Sequence, residues 1–351
     1  MSREIKCSEA ICEGLMQAMA QDDSVYLIGQ GVPDASQTYG TTKDIVKKYP
    51  NRVFDTPVSE AAMVGLMLGS SLVGLKPVMT MARFEFLLLA IDQLVNQAAK
   101  WNYTFGGKEN ISFTLRVIVG RGWGQGPQHS QSLHAWFAHV PGLKVVMPAT
   151  AYDAKGLLMA CIADPNPVLF IEHRWLHGLS GIVPESSYTV PIGTTNILKE
   201  GSDVTVVALS YATIDAIKAE KIVAKDGISI DLLNVTTLNP FDDRRILASV
   251  KKTGRLIVCD YACATGSFAS EIISRVAQKA FSALKSPPIK IALPDLPLAT
   301  TRALANFYYP TDIHIANAIK KVLGIMGRDY PLSINETDYL DVPDASYTGP
   351  F

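Results

Sequence analysis

FDTPVSEAAMVGLMLGSSLVGLKPVMTMARFEF (54–86) is the stretch on which the fold turns. A strand pattern ends at Asp55, and Thr56-Pro57 marks a turn. Ser59-Glu60 then opens an apolar helix whose Ala61, Ala62, Gly65, Gly69, Ser70 and Ser71 permit close packing. A second β-rich run, PVMTMA (77–82), follows. Strand, helix, strand is the crossover unit of a parallel sheet. Glu60 therefore falls at the first turn of a helix beyond the carboxyl end of a strand, where open α/β sheets bind ligands. The ordinary alternative is that Ser59 caps the helix and Glu60 complements its dipole; spacing alone does not separate the two.

The same alternation extends in both directions. Strands are predicted at 24–29, 52–56, 77–82, 115–120, 144–148 and 167–172, with helices at 7–21, 59–74, 84–104 and 151–162. The pattern restarts with strands at 203–209, 228–234, 255–260 and 289–293 and helices near 211–225, 242–252, 266–284 and 311–324. Apolar strands without polar alternation are strands covered on both faces. The chain thus reads as α/β with two doubly wound domains, residues 1–188 and 189–327, joined through the Pro-, Gly- and Ser-rich LSGIVPESSYTVPIG (179–193). From Arg328 the sequence becomes acidic and turn-rich, so 328–351 reads as an extended tail.

Composition narrows the function. Lys+Arg 32 against Asp+Glu 33 gives no polyanion-binding surface, so nucleic acid is not an expected partner. A positive mean hydropathy points either to large cores or to surface covered by other subunits, and an oligomer is the expected state. No apolar run reaches the length of a membrane span, and MSREIKCSEA lacks a signal-peptide core, so the chain reads as cytoplasmic. Five scattered cysteines fit reduced core thiols better than a disulfide framework or a zinc set.

DTPVSEAAMVG (55–65), FEF (84–86) followed by AIDQLVNQAAK (90–100), QHSQS (128–132), HVPGLKVVMPAT (139–150), DAKGLLMACIADPNPVLFIE (153–172) and LPDLPL (293–298) occur in that order. Together they resemble the beta subunit of pyruvate and branched-chain 2-oxo acid dehydrogenases, across roughly residues 4–325. The resemblance implies a thiamin-diphosphate pyrimidine-binding domain followed by a transketolase C-terminal-like domain. It also implies a role for Glu60, because the cofactor's aminopyrimidine becomes a base once a carboxylate hydrogen-bonds its ring nitrogen. By the same likeness Phe86 packs on the aminopyrimidine, and Val58 and Ala82 line the same pocket. His129 moves a proton as the substrate reacts. Taken singly, Phe86 is equally a core residue and His129 equally a helix-entry histidine bonded to backbone. His139 reads as structural and His134 as local decoration of the loop helix. GRGWGQGP (120–127) lacks the Lys-Ser/Thr of a phosphate loop and reads as an active-site loop. IADPNP (162–167) resembles a potassium site built from Ile162, Asp164 and Asn166, although Asp-Pro-Asn-Pro is also a turn sequence.

The chain has no Gly-Asp-Gly, the start of the segment that holds magnesium and diphosphate in related enzymes. The resemblance therefore implies an alpha-type partner carrying that half, in an α2β2 assembly, with a lipoyl acyltransferase downstream. Thr80-Met81, Leu87-Leu88-Leu89, Arg83, Glu85 and Trp123 depart from the family pattern and leave the acyl substrate open. Three readings follow: oxidative decarboxylation of a 2-oxo acid, carbon–carbon ligation of transketolase or acyloin type, and a silent scaffold subunit.

Overall fold

The computed structural model describes residues 1–34, 38–121 and 124–332. Trp123 and residues 333–351 of the expected tail lie outside them. Seven strands form the first sheet, in spatial order Thr237–Asn239, Lys144–Val146, Val168–His173, Thr114–Val119, Lys76–Met81, Val25–Gly29 and Val53–Phe54. All neighbours run parallel except the first pair. The second sheet has five strands, Ile289–Leu293, Leu256–Cys263, Val204–Leu209, Ile230–Val235 and an antiparallel edge at Thr195–Lys199.

The absence of polar alternation has the cause expected of it. Along Val168–His173, Phe170 enters one apolar core while Leu169 and Ile171 enter the other; along Val204–Leu209, Val206 and Ala208 oppose Val207 and Leu209. Each strand is packed on both faces, which is why its apolar residues run on without a break. The helices obey ordinary terminal chemistry. Thr150 accepts from the Asp153 amide at 3.0 Å and starts Ala151–Ala163, and Gly254 at φ 76° stops Arg244–Thr253.

The structure corrects several expectations. The predicted helix over 84–104 is wound three ways: a 3₁₀ segment Phe84–Ala90, a π segment Asp92–Ala98 and an α turn Ala99–Thr104. No Gly or Pro punctuates this run, so nothing local announces the change of winding; such segments concentrate at functional sites. The stretch read as a linker begins with a strand, Ser180–Pro184, antiparallel to Ser2–Lys6. A further strand, Thr237–Asn239, is only three residues long; it crosses from the second half of the chain to complete the first sheet. Residues 328–332, assigned to the tail, return to the body, where the Tyr330 amide donates to Asn317 Oδ1 at 2.8 Å.

Gly29 closes its strand at φ 153°, and a Cβ there would collide with the Thr80 carbonyl oxygen of the neighbouring strand. Gly29→Ala is expected to destabilise the protein by about 1–3 kcal/mol, as strained backbone positions do, measured as a shift of the denaturant midpoint; a loss below the error of that midpoint would show that the strand end adjusts freely.

Candidate active site

The carboxyl ends of Val25–Gly29, Val53–Phe54 and Lys76–Met81 surround a small pocket lined by Gln30, Pro57, Glu60, Met63, Met79, Thr80, Met81, Ala82 and Phe86. Asp55 fixes the turn into it, its Oδ1 accepting from the amides of Gly31 and Thr56, each at 2.9 Å. Glu60 is the first residue of the helix Glu60–Leu72 and is only 7% exposed. Ser59 precedes it without a side-chain capping bond, so the capping interpretation of Ser59 is not realised. Among the described residues nothing hydrogen-bonds or pairs with the Glu60 carboxylate. The residue is buried in the wall while its carboxylate lines the pocket, open to a ligand there.

Phe86 is 37% exposed and forms one wall. Its ring meets His129 edge to face, with centroids 5.6 Å apart and planes at 75°. Residues 69 positions from Glu60 in sequence thus arrive beside the same pocket. The His129 Nδ1 is buried and has no hydrogen-bond partner among the described residues, so the expected backbone-bonded alternative is absent at that atom. Ala82 lines this pocket, whereas Val58 is 82% exposed and outside its wall. Glu85, between Phe84 and Phe86, turns inward and accepts from the Gln131 amide at 2.6 Å, tying the histidine loop to the 3₁₀ segment. Burial pushes the Glu85 carboxyl up, with that amide pulling the other way.

Beneath the pocket lies a charged network. Arg116 is fully buried, the one charge in the strand Thr114–Val119, and holds Glu172 through Nε–Oε1 at 2.6 Å and Nη2–Oε2 at 3.0 Å. Its Nη1 donates to Thr80 Oγ1 at 3.0 Å, in the pocket wall, and His177 Nε2 lies 2.9 Å from Glu172 Oε2. Burial would raise the Glu172 carboxyl, but Arg116 and His177 outweigh it and hold it near about 2. Signs of this network were in the sequence: a charge inside LRVIVG and another closing PVLFIE are hard to place in strands covered on both faces.

His134 is not decoration. It is buried, with Nδ1 3.0 Å from Ser132 Oγ and Nε2 2.9 Å from Asp260 in the second sheet, and so couples the histidine loop to the other half of the chain. Burial would raise Asp260, but His134 and the Ala269 amide prevail and keep it below the usual carboxylate range. His139 is exposed. The residues read as a potassium site form a hydrogen-bonded turn. Asp164 pairs through Oδ2 with Lys144 and accepts from the Asn166 amide at 2.9 Å and its Nδ2 at 3.2 Å, while its carbonyl accepts from Ser112 at 2.7 Å. These bonds make the Asp-Pro-Asn-Pro turn that the sequence also allows, with the Asp164 side chain engaged inside it.

A glutamate opening a helix, an aromatic wall and a histidine thus gather at the carboxyl edge of a parallel sheet, and the class of fold that carries them is transketolase-like α/β. Residues 3–178 match the transketolase pyrimidine binding domain and residues 193–315 the transketolase C-terminal domain. The chain is 39% identical over 333 residues to the acetoin:2,6-dichlorophenolindophenol oxidoreductase subunit beta of Cupriavidus necator, covering 92% of this chain and 98% of that one. Its identity to the Bacillus subtilis protein of the same name is 37%, over 92% and 98% of the two chains. The mitochondrial pyruvate dehydrogenase E1 component subunit beta-2 of Oryza sativa is 38% identical, over 91% of this chain and 86% of that one. Among solved structures a split gene transketolase, an inactive beta4 tetramer, superposes with a TM-score of 0.75 at 21% identity, covering 92% and 99% of the two chains. The chain belongs to the thiamin-diphosphate-dependent, transketolase-like family of E1 beta subunits that includes the acetoin and pyruvate enzymes.

Proposed function

We propose that this chain is the pyrimidine-holding half of an active site that an alpha-type subunit completes in an α2β2 assembly. The complex decarboxylates a 2-oxo acid and passes the acyl group to lipoyl on an acyltransferase. The observation that carries this reading is the Glu60 carboxylate, without a partner among the described residues, lining a pocket whose aromatic wall also touches His129. The donor set fits an aminopyrimidine, which needs one carboxylate at a ring nitrogen and an apolar face to lie on. Thiamin diphosphate, when bound, supplies the nucleophilic carbon and the electron sink for breaking the bond beside the substrate carbonyl. Glu60 would hold a proton against the pyrimidine ring nitrogen, and Phe86, Ala82 and Met81 would keep water from that face. His129, with Nδ1 uncommitted, would give or take a proton at the substrate's carbonyl oxygen. Magnesium and diphosphate fall to the alpha-type chain, since the Gly-Asp-Gly that begins their usual segment does not occur here. The five unpaired cysteines, four of them buried, suit a reducing compartment such as the cytoplasm; no helix among the described residues is long and apolar enough to cross a membrane.

A second substrate, acetoin, is favoured by the names of the Cupriavidus and Bacillus relatives. The test is reduction of dichlorophenolindophenol by the complex with its alpha-type subunit, offered pyruvate, branched-chain 2-oxo acids or acetoin, together with acyl transfer to lipoyl and to aldehydes. Turnover of a 2-oxo acid with lipoyl acylation supports the main reading; acetoin alone selects the second; ligation to aldehydes without lipoyl acylation overturns both in favour of a carboligase. His129→Ala is expected to lower kcat about 100-fold, the usual worth of one proton-transfer group, without loss of complex; unchanged kcat would remove His129 from the chemistry.

A further inference from the structure

Arg121 is a charged side chain with no part in the site described so far. It begins the loop that carries His129, is 5% exposed, and makes no hydrogen bond through Nε or Nη1 among the described residues. Its guanidinium carbon instead lies 4.2 Å from the ring centre of Trp175, 4.2 Å from Tyr309, 5.2 Å from Tyr261 and 5.3 Å from Tyr211. Trp175 follows a strand of the first sheet, whereas Tyr211, Tyr261 and Tyr309 belong to the second half of the chain. The cage therefore spans both halves and grips the first residue of the loop between them. Cation–π contacts are stronger when desolvated than at exposed sites, and a planar guanidinium both stacks on aromatic faces and keeps its charge when buried.

That grip reaches His129 by one backbone contact. Gly120, bonded to Arg121, packs so closely on the His129 carbonyl that any Cβ would collide with it. The loop is held again at Gln125, whose Oε1 accepts from Arg174 Nη2 at 2.6 Å, and at Gln131, whose amide is bound by Glu85. Of these anchors only Arg121 also touches the half of the molecule that does not form the pocket, through Tyr211, Tyr261 and Tyr309.

We propose that Arg121 is a positioning residue that acts through His129: the aromatic cage fixes the start of the loop and thereby holds the histidine ring against Phe86. The proposal rests on the catalytic role given to His129 above. Small displacements of a reacting group cost about 100-fold in rate, so Arg121→Leu in the reconstituted complex is expected to lower kcat by about 10- to 100-fold while KM changes less than about threefold. Because the effect passes through His129, the Arg121→Leu/His129→Ala double variant should turn over no more slowly than His129→Ala alone. Tyr309→Leu removes one wall but keeps the cation, and is expected to show a smaller loss of the same kind; it serves as the test if Arg121→Leu does not assemble.

A purely structural Arg121 would lower the thermal midpoint and leave kcat per assembled complex unchanged, which overturns the proposal. Losses that multiply in the double variant overturn it too, while leaving the function of the site intact. A His129→Ala variant with full activity overturns both this proposal and the role of His129 in the chemistry.

Discussion

Glu60→Gln is expected to reduce turnover of the assembled complex by at least about 100-fold while shifting its stability by no more than about 1 kcal/mol. The two halves of this expectation have one cause. In the folded chain the carboxylate has no partner among the described residues and Ser59 does not cap the helix, so the fold loses little beyond a favourable charge at a helix start. Chemistry loses the acid whose proton is shared with a ring nitrogen, a role an amide cannot fill. Steady-state kinetics with saturating thiamin diphosphate and magnesium, beside thermal unfolding, separate these effects. Wild-type turnover in the variant would leave the scaffold reading in possession of the field.

Glu172→Gln should do the reverse and attack the fold. Arg116 is fully buried, and the bidentate bond to Glu172 is its charge partner. Removing one member of such a pair typically costs about 3–5 kcal/mol, because the remaining ion is left in an apolar interior. The pH dependence has a definite sign. Glu172 is held near about 2, below its ordinary value of 4.5, so its contribution is fully present above about 4.5 and disappears as the pH falls toward 2. The wild-type chain should therefore lose stability across that acid window more steeply than the Gln variant. Equal slopes, or a loss below about 1 kcal/mol at neutral pH, would show that water reaches the pair.

Much of this was legible in the amino-acid order. The strands and helices that build the two sheets follow from apolar runs whose lengths and turn residues are local properties, and Glu60, Phe86 and His129 stand in continuous blocks of familiar sequence. What the order does not carry is the meeting of distant parts. Nothing near Phe86 says that its ring will touch His129, and nothing near His134 names Asp260, 126 positions away, as its partner. Arg116 and Glu172 left a trace as charges in apolar strands, but only the register that sets Arg116 beside Phe170 and Ile118 beside Glu172 brings the pair together. Thr237–Asn239 is not legible because three residues are too few to display a period, and the winding of 84–104 is not legible because it changes without a Gly or Pro to mark it.

The strand Thr237–Asn239 has a practical corollary for anyone dissecting the molecule. It shields the flank of Lys144–Val146, so a fragment ending before it would expose raw peptide groups along a β-rich border, an invitation to fibrous self-association. Genetic fission at the seam between the halves should hence yield an insoluble amino-terminal piece unless the carboxyl-terminal piece is synthesised alongside it.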